Sequence, residues 1–385
     1  MSYNIMKDET ITLREPGPEQ RKVLNQYRLT ESFRNAYGNH MLACLPQRSE
    51  VRNAAAAIKK FKGVDEVDIA QWKDVIIDLI YSKYVLDFMH WEYFVYGLED
   101  KSIAERLEFI PQRKRLTYGE ALNMSREESR KILYKYITYQ LHPSYFKRDM
   151  CYLNSVSQKK EFFDFCRRHP RFIVKPVNRG VGRGVEIINC GDYENLEDLF
   201  ADLYAKEDKM LCEELIVCED SMKAIHPQSV NSIRIFTYLT SVGEPTIVCA
   251  WLKAGQGDAV IDNGTAGGVL AAIDHKTGIV YTDAADEANH VYPTHPDTGF
   301  VFKGFQIPRW EELIRIVLEL SSMFPGTPLV GWDVALSKDR GWQLIEGNHC
   351  GMISLIQVPT KKGFRKQIET AIEWDMHRRK LQRTK

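Results

Sequence analysis

Twenty residues near the C-terminal end, LVGWDVALSKDRGWQLIEGN, constrain the fold more than any other stretch. Two apolar runs flank the polar tetrad Lys338-Asp339-Arg340-Gly341, which predicts a β-hairpin with strands at Leu329 to Leu336 and Trp342 to Asn348. A turn centred between Asp339 and Arg340 sets Asp333 opposite Glu346, with Cβ atoms roughly 5 Å apart. Asn348 shares the face of Glu346 and falls opposite Gly331, which has no side chain to fill the space. Two carboxylates facing each other on an apolar hairpin repel unless a cation lies between them. Hard oxygen donors too few to encage an ion suit Mg²⁺ that takes its other ligands from substrate phosphates. By spacing alone, a solvated hairpin face with scattered acids fits equally well.

The chain has 385 residues, enough for two or three domains. Lys+Arg and Asp+Glu balance at 52 each, which argues against a polyanion-binding surface and hence against a nucleic-acid partner. Phosphate recognition then rests on a few placed cations. The start, MSYNIMKDETITLRE, lacks a signal-peptide core, and no apolar run is long enough for a membrane span. The eight cysteines form no CxxC pair and several sit in apolar runs as small hydrophobes, so a cytosolic protein is expected.

Residues 18 to about 140 read as helix-rich. Pro18-Glu19-Gln20 opens one amphipathic segment, and Asn53 to Lys62 carries four consecutive alanines. Val67 to Tyr96 places Trp72, Ile76, Leu79, Phe88, Trp91 and Phe94 at roughly helical spacing, which predicts a buried helix pair. Ser125-Arg126-Glu127-Glu128 resembles a capping box for a helix running to about Leu141, where His142-Pro143 ends it. From Arg171 onward strands dominate: Arg171 to Lys175, Val185 to Asn189, Met210 to Ile216, Ser232 to Thr240, Pro245 to Lys253, Gly268 to Ile273, Gly278 to Tyr281 and the terminal hairpin. Helices intervene at Gln158 to Arg168, Asn195 to Ala205 and Trp310 to Met323. Hairpins rather than regular βαβ repeats indicate an α+β architecture.

Within FIVKPVNRGVGRGVEIIN, Gly180, Gly182 and Gly184 lead from one strand into another, not into a helix. That excludes the Rossmann and P-loop patterns and suggests a hairpin flap whose backbone amides fold over a polyphosphate. Lys175 ends the preceding strand and can reach phosphate; an ordinary glycine-rich hairpin with an exposed lysine is the plain alternative. Glu213 and Glu214 end an apolar strand where a carboxylate can accept ribose hydroxyls, and the backbone at Leu215 and Ile216 can pair with an adenine edge. Arg234 lies within a strand on the face of Ser232 and Phe236, suited to a carboxylate or a phosphate partner.

Together these segments resemble the ATP-grasp superfamily. Ser229-Val230-Asn231-Ser232-Ile233-Arg234, Asp262-Asn263-Gly264-Thr265-Ala266-Gly267-Gly268, Gly331-Trp332-Asp333 and Glu346-Gly347-Asn348 are similar to its sugar-transfer-associated branch. The resemblance covers about residues 130 to 365. It implies an ATP-grasp fold, two α+β subdomains clamping ATP, preceded by a helix-rich region: residues 1–130, then 131–218 with the flap, then 219–385 with the metal site. It implies ATP and Mg²⁺ as cofactors. Lys135 and Lys175 would contact the nucleotide, Gly180, Gly182 and Gly184 would form the flap, and Glu213, Glu214 and Ile216 the adenosine hinge. Asp333, Glu346 and Asn348 would hold magnesium. Arg234 would neutralise the transferred phosphoryl group, with Lys253 and Asn263 on the acceptor side. His349-Cys350-Gly351 departs from the family's usual small or proline-rich stretch, which touches the acceptor pocket; Cys350 is taken as an ordinary thiol. The chemistry implied is amide formation from a small-molecule carboxylate and an amine through an acyl phosphate, on a sugar acid or amino acid of cell-surface polysaccharide synthesis. A kinase acting on a hydroxyl is the alternative.

Overall fold

The computed structural model describes residues 22, 25–44, 49–122, 125–177, 184–206, 209–262, 267–349, 351–370 and 372. Gly180, Gly182, Asn263, Cys350 and the segment opening at Pro18 lie outside these residues. The described strands form two antiparallel sheets. The smaller contains β1 (Met150–Leu153), β2 (Arg171–Pro176), β3 (Glu186–Asn189) and β4 (Met210–Glu214), in the order β1-β4-β2-β3. Alternation along β2 sends Phe172 and Val174 to one side, where they pack on Phe162, Phe165, Leu199 and Leu203 of two covering helices, Lys159–Arg168 and Leu196–Ala205. Met150 and Leu211 point the other way, into the core of the larger sheet.

That sheet runs β11-β10-β5-β6-β7-β8-β9. Its strands are β5 (Ser232–Leu239), β6 (Pro245–Ala254), β7 (Val269–Ile273), β8 (Ala284–Ala285), β9 (Val291–Tyr292), β10 (Leu329–Ser337) and β11 (Gly341–Asn348). The period-2 alternation of each strand separates two cores. Ile233, Leu252, Trp332 and Val334 meet Leu313, Val317 and Leu320 of the Trp310–Ser322 helix. Phe236, Trp251, Leu270, Ala285 and Leu329 belong to a second core, built with the N-terminal helices. The expected buried pair there is Lys73–Tyr84 and His90–Val95, with Ile76, Leu79, Ile80 and Phe94 inside. Asp78, central in that region, takes Arg106 bidentately at 2.7 Å and the Tyr93 hydroxyl at 2.7 Å.

Four expectations change. The helix capped by Ser125 breaks at Tyr134 into Arg126–Leu133 and Lys135–Leu141, with the Thr138 hydroxyl donating to the Lys131 carbonyl at 2.5 Å across the break. Only half the capping box forms, because the Glu128 carboxylate accepts the Gly326 amide at 2.7 Å instead. Gly278 to Tyr281 makes isolated bridges rather than a strand, since Gly278 turns with φ +76° against Trp310. The hairpin turn is tighter than expected: Ser337 pairs with Gly341 across three residues, and Gly341 takes φ +69°. A bulge at Ile345 then restores the expected register, so Asp333 faces Glu346 and Gly331 faces Asn348. Among the described residues, no helix is long and apolar enough to cross a membrane.

Candidate active site

The break at Tyr134 makes Lys135 the first residue of a new helix, and its ammonium pairs with the Glu346 carboxylate. Glu346 Oε1 also accepts the Asn348 side-chain amide at 3.2 Å. Opposite Glu346 on β10, Asp333 pairs with Arg234 of β5 through both carboxylate oxygens, one contact measuring 2.6 Å. Lys253 of β6 approaches Asp333 Oδ2 at 3.2 Å and Asp262 Oδ1 at 3.7 Å. Asp262 is itself fixed by the Ser232 amide at 2.7 Å. The sheet therefore brings Asp333, Glu346 and Asn348 to one face, as their spacing predicted, and its register adds Arg234 and Lys253 to that face.

The room over Gly331 is not metal space. A Cβ there would stand 2.7 Å from Phe236 Cζ, so the glycine admits this ring, which stacks on Trp251 at 5.6 Å. The expectation that Gly331 leaves a vacancy for an ion is corrected accordingly.

Lys175 projects from the inner face of the small sheet, its Nζ 2.9 Å from Glu213 Oε1. The other oxygen of Glu213 accepts Arg148 Nη2 at 2.6 Å and Nε at 3.1 Å, while Arg148 Nη1 donates to the Leu344 carbonyl of β11 at 2.7 Å. Arg148 and Glu213 are buried, so one guanidinium joins the two sheets below the site. Glu213 is thereby committed to Lys175 and Arg148 rather than presented for ribose hydroxyls. Glu214 departs further from its expected place. Strand alternation turns it to the opposite face, where it takes Arg340 at 2.7 and 2.8 Å and the Asp149 amide at 3.0 Å. It ties β4 to the hairpin turn. Ile216 lies half-buried just beyond β4, where the Lys338 amide donates to the Val217 carbonyl at 2.9 Å. Gly184 has φ +72°.

Five cations (Lys135, Arg148, Lys175, Arg234, Lys253) interleave with four carboxylates (Glu213, Asp262, Asp333, Glu346). Burial acts against the charged form of Glu213, yet Lys175, Arg148 and Lys135 hold its carboxyl at about 2. Burial pushes Lys175 down to about 8, opposed by Glu213 and assisted by Lys135 and Arg148. Lys135 moves the other way: burial is overcome by Glu346, with Glu213 helping. Glu346 is held well below the carboxylate range despite burial, chiefly by Lys135 and then by Arg234 and Lys253. Asp262 is raised by burial, with Lys253 opposing.

Arg148 and Asp262 belong to this lattice and were missed by sequence reasoning. Arg148 sits in Lys147-Arg148-Asp149, which reads as a surface charge run and carries no signal. Asp262 did carry one, since it opens the glycine-rich string that ends at Gly268.

The Asp333, Glu346 and Asn348 set fits a hard divalent cation. All three are oxygen-bearing side chains on one hairpin face, and the two carboxylates already draw positive charge from Lys135, Arg234 and Lys253. Comparison with known proteins agrees with the fold. Residues 117–373 match the model of the family described as sugar-transfer associated ATP-grasp. No curated protein sequence matches the chain. Solved structures with a similar fold include the ATP-grasp ligase PsnB complexed with minimal precursor, Mg and ADP (13% identity, TM-score 0.41), over 66% of this chain and 62% of that one. Another is D-alanyl-alanine synthetase A from Vibrio cholerae O1 biovar eltor (12% identity, TM-score 0.42), over 66% and 68%. The D-alanine-D-alanine ligase from Coxiella burnetii has 11% identity and a TM-score of 0.41 over 68% and 63%. The match spans less than two thirds of the PsnB chain. With two thirds of its length accounted for by one family model, the chain belongs to the sugar-transfer associated ATP-grasp family.

Proposed function

We propose that the protein is an ATP-dependent carboxylate–amine ligase. The observation that carries this reading is the pairing within the site: every carboxylate suited to a metal is neutralised by a cation suited to phosphate. In such a lattice the carboxylates would be available to hold a magnesium ion and the cations to bind the phosphates of a triphosphate. Asp333, Glu346 and Asn348 would hold Mg²⁺, which supplies neutralisation of the triphosphate charge. Lys135 and Lys175 bind phosphate oxygens, and Glu213 with Arg148 fixes where Lys175 stands. Ile216 and the backbone beside it take the adenine edge. By resemblance to the family, Gly180, Gly182 and Gly184 would serve as the lid that keeps water off the reacting groups.

Arg234 and Lys253 stabilise charge on the phosphoryl group as a substrate carboxylate oxygen attacks the γ-phosphorus and ADP leaves. An amine then attacks the acyl carbon, phosphate departs, and the nitrogen loses a proton as the amide forms. By resemblance to the family, Asn263 would serve this acceptor side. Positioning and charge neutralisation suffice for such phosphoryl transfer, so no protein nucleophile is required. A sugar acid or amino acid of cell-surface polysaccharide synthesis is the substrate class the family suggests.

The test is ADP release against panels of acids and amines, with mass spectrometry of the product. Phosphate release that needs both acid and amine supports a ligase; a stable phosphorylated product without free phosphate replaces it by a kinase. Asp333→Asn and Glu346→Gln abolish ADP formation, and unchanged turnover in both removes the metal assignment.

A further inference from the structure

The face of the large sheet that bears Arg234, Lys253 and Asp333 is the face covered, farther along, by the N-terminal helices. Where the two meet, a half-open cleft of about 480 Å³ remains, within the size range of small-molecule sites. Its lining comes from both parts of the chain. Lys60, Trp91 and Gln112 are contributed by the helical region, and Gly267, Glu287 and Met352 by the segments around the sheet. Met352 follows the last proposed metal ligand by four residues, and the intervening Gly351 packs on Phe236, the ring beneath the site.

The distance to the site follows from the sheet register. Ser232, Lys253, Leu270 and Ala285 form one rung across β5, β6, β7 and β8. Two strand spacings, about 10 Å, separate Lys253 from Ala285, and Glu287 comes two residues later.

Three properties of the cleft select its ligand. Asp286 is saturated: its oxygens accept the Ala288 and His290 amides, the His290 ring and the Tyr292 hydroxyl at 2.8 to 3.1 Å. Glu287 is half-buried and, among the described residues, takes no hydrogen bond or ion pair. Burial raises its carboxyl, with Lys60 opposing. Trp91, half-buried and lining the same cleft, offers an aromatic surface favourable to a cation. A half-buried carboxylate that Lys60 influences across the cleft without forming an ion pair, in a cleft that also holds an indole, has room for an ammonium group.

Resting on the ligase reading above, the geometry points to this cleft as the seat of an ammonium group on the carboxylate substrate, whose other end is activated beside Arg234. An extended peptide covers roughly 3.4 Å per residue, so about 10 Å corresponds to a di- or tripeptide. The substrate class is thus a short peptide or a similar zwitterion; a uronic acid has no cation to place against Glu287.

Calorimetric titration of the full chain with ADP and Mg²⁺ tests this, using alanine di- and tripeptides of both L and D series, their N-acetylated forms, and D-glucuronate. The expected result is binding of free-amine peptides at least tenfold tighter than of acetylated ones, with that preference lost in Glu287→Gln and partly kept in Glu287→Asp. Equal binding of free and acetylated peptides, glucuronate binding in their place, or no peptide binding at all overturns the assignment. ATP–Mg²⁺ titrated into the unmutated chain reads the nucleotide site separately. If it binds while the peptide result fails, the cleft assignment falls and the ligase reading stands; if it does not bind, the ligase reading falls.

Discussion

Replacing Glu213 by glutamine tests the joint on which the site is built. Its carboxylate is buried between Arg148, also buried, and Lys175. The fall of its pKa from 4.5 to about 2 corresponds to about 3 kcal/mol of interaction favouring the charged form, at 1.36 kcal/mol per pH unit. Removing one member of a buried pair costs a similar ~3–5 kcal/mol, because the other charge is left without a partner. Glu213→Gln is therefore expected to lower stability by about 3 kcal/mol at pH 7, read as a shift of the urea midpoint by circular dichroism. The sign of the pH dependence follows from the depressed pKa. The carboxylate's contribution is complete above about pH 5, where the unfolded chain is also ionised, and fades as pH falls toward 2. The gap between wild type and variant should then narrow from pH 5 to pH 3. A difference below about 0.5 kcal/mol at pH 7, or a gap that stays constant down to pH 3, would refute the reasoning.

Three further outcomes are expected. Lys175, held near 8 by burial, loses its proton above that pH, so ATP–Mg²⁺ affinity measured calorimetrically should fall roughly tenfold between pH 7 and pH 9; Lys175→Arg should flatten that fall, and a flat wild-type profile counts against a phosphate role. Gly331→Ala places a methyl against the Phe236 ring and should destabilise by ~1–3 kcal/mol through overpacking, whereas a neutral effect in urea unfolding would mean that the ring moves freely. Asp78→Asn leaves Arg106 buried without its carboxylate, and a loss of about 3–5 kcal/mol should appear in the unfolding of the helical region; stability within error of wild type would show that this pair is dispensable.

The terminal hairpin was the most legible part of the chain, though partly for the wrong reason. Alternation placed the strands, and the expected register at Asp333 and Glu346 is present. It arises from a shorter turn offset by a bulge at Ile345, and two compensating single-residue features leave no trace in the alternation. The helix broken at Tyr134 was read as continuous because Arg126 to Leu141 has no proline or glycine. Glu128 was read as half of a capping box, but its carboxylate serves Gly326, 198 residues away. Glu213 and Glu214 look equivalent in sequence; strand alternation divides them between a buried guanidinium and an arginine on the hairpin turn.

What the sequence determined alone is local and ordered: strand periodicity, the hairpin that sets Asp333, Glu346 and Asn348 on one face, and the succession of motifs that marks the family. Such features depend on neighbours a few residues apart, so backbone geometry suffices to deduce them. The tertiary structure alone decided the pairing of each cation with a carboxylate, the bridge from Arg148 to Glu213 and Leu344, and the seating of the N-terminal helices on the site's own face. Arg148 reaches its partners over 65 and 196 residues. Contacts at that range are chosen by which surfaces can be buried together with their charges satisfied, and no local pattern records that choice.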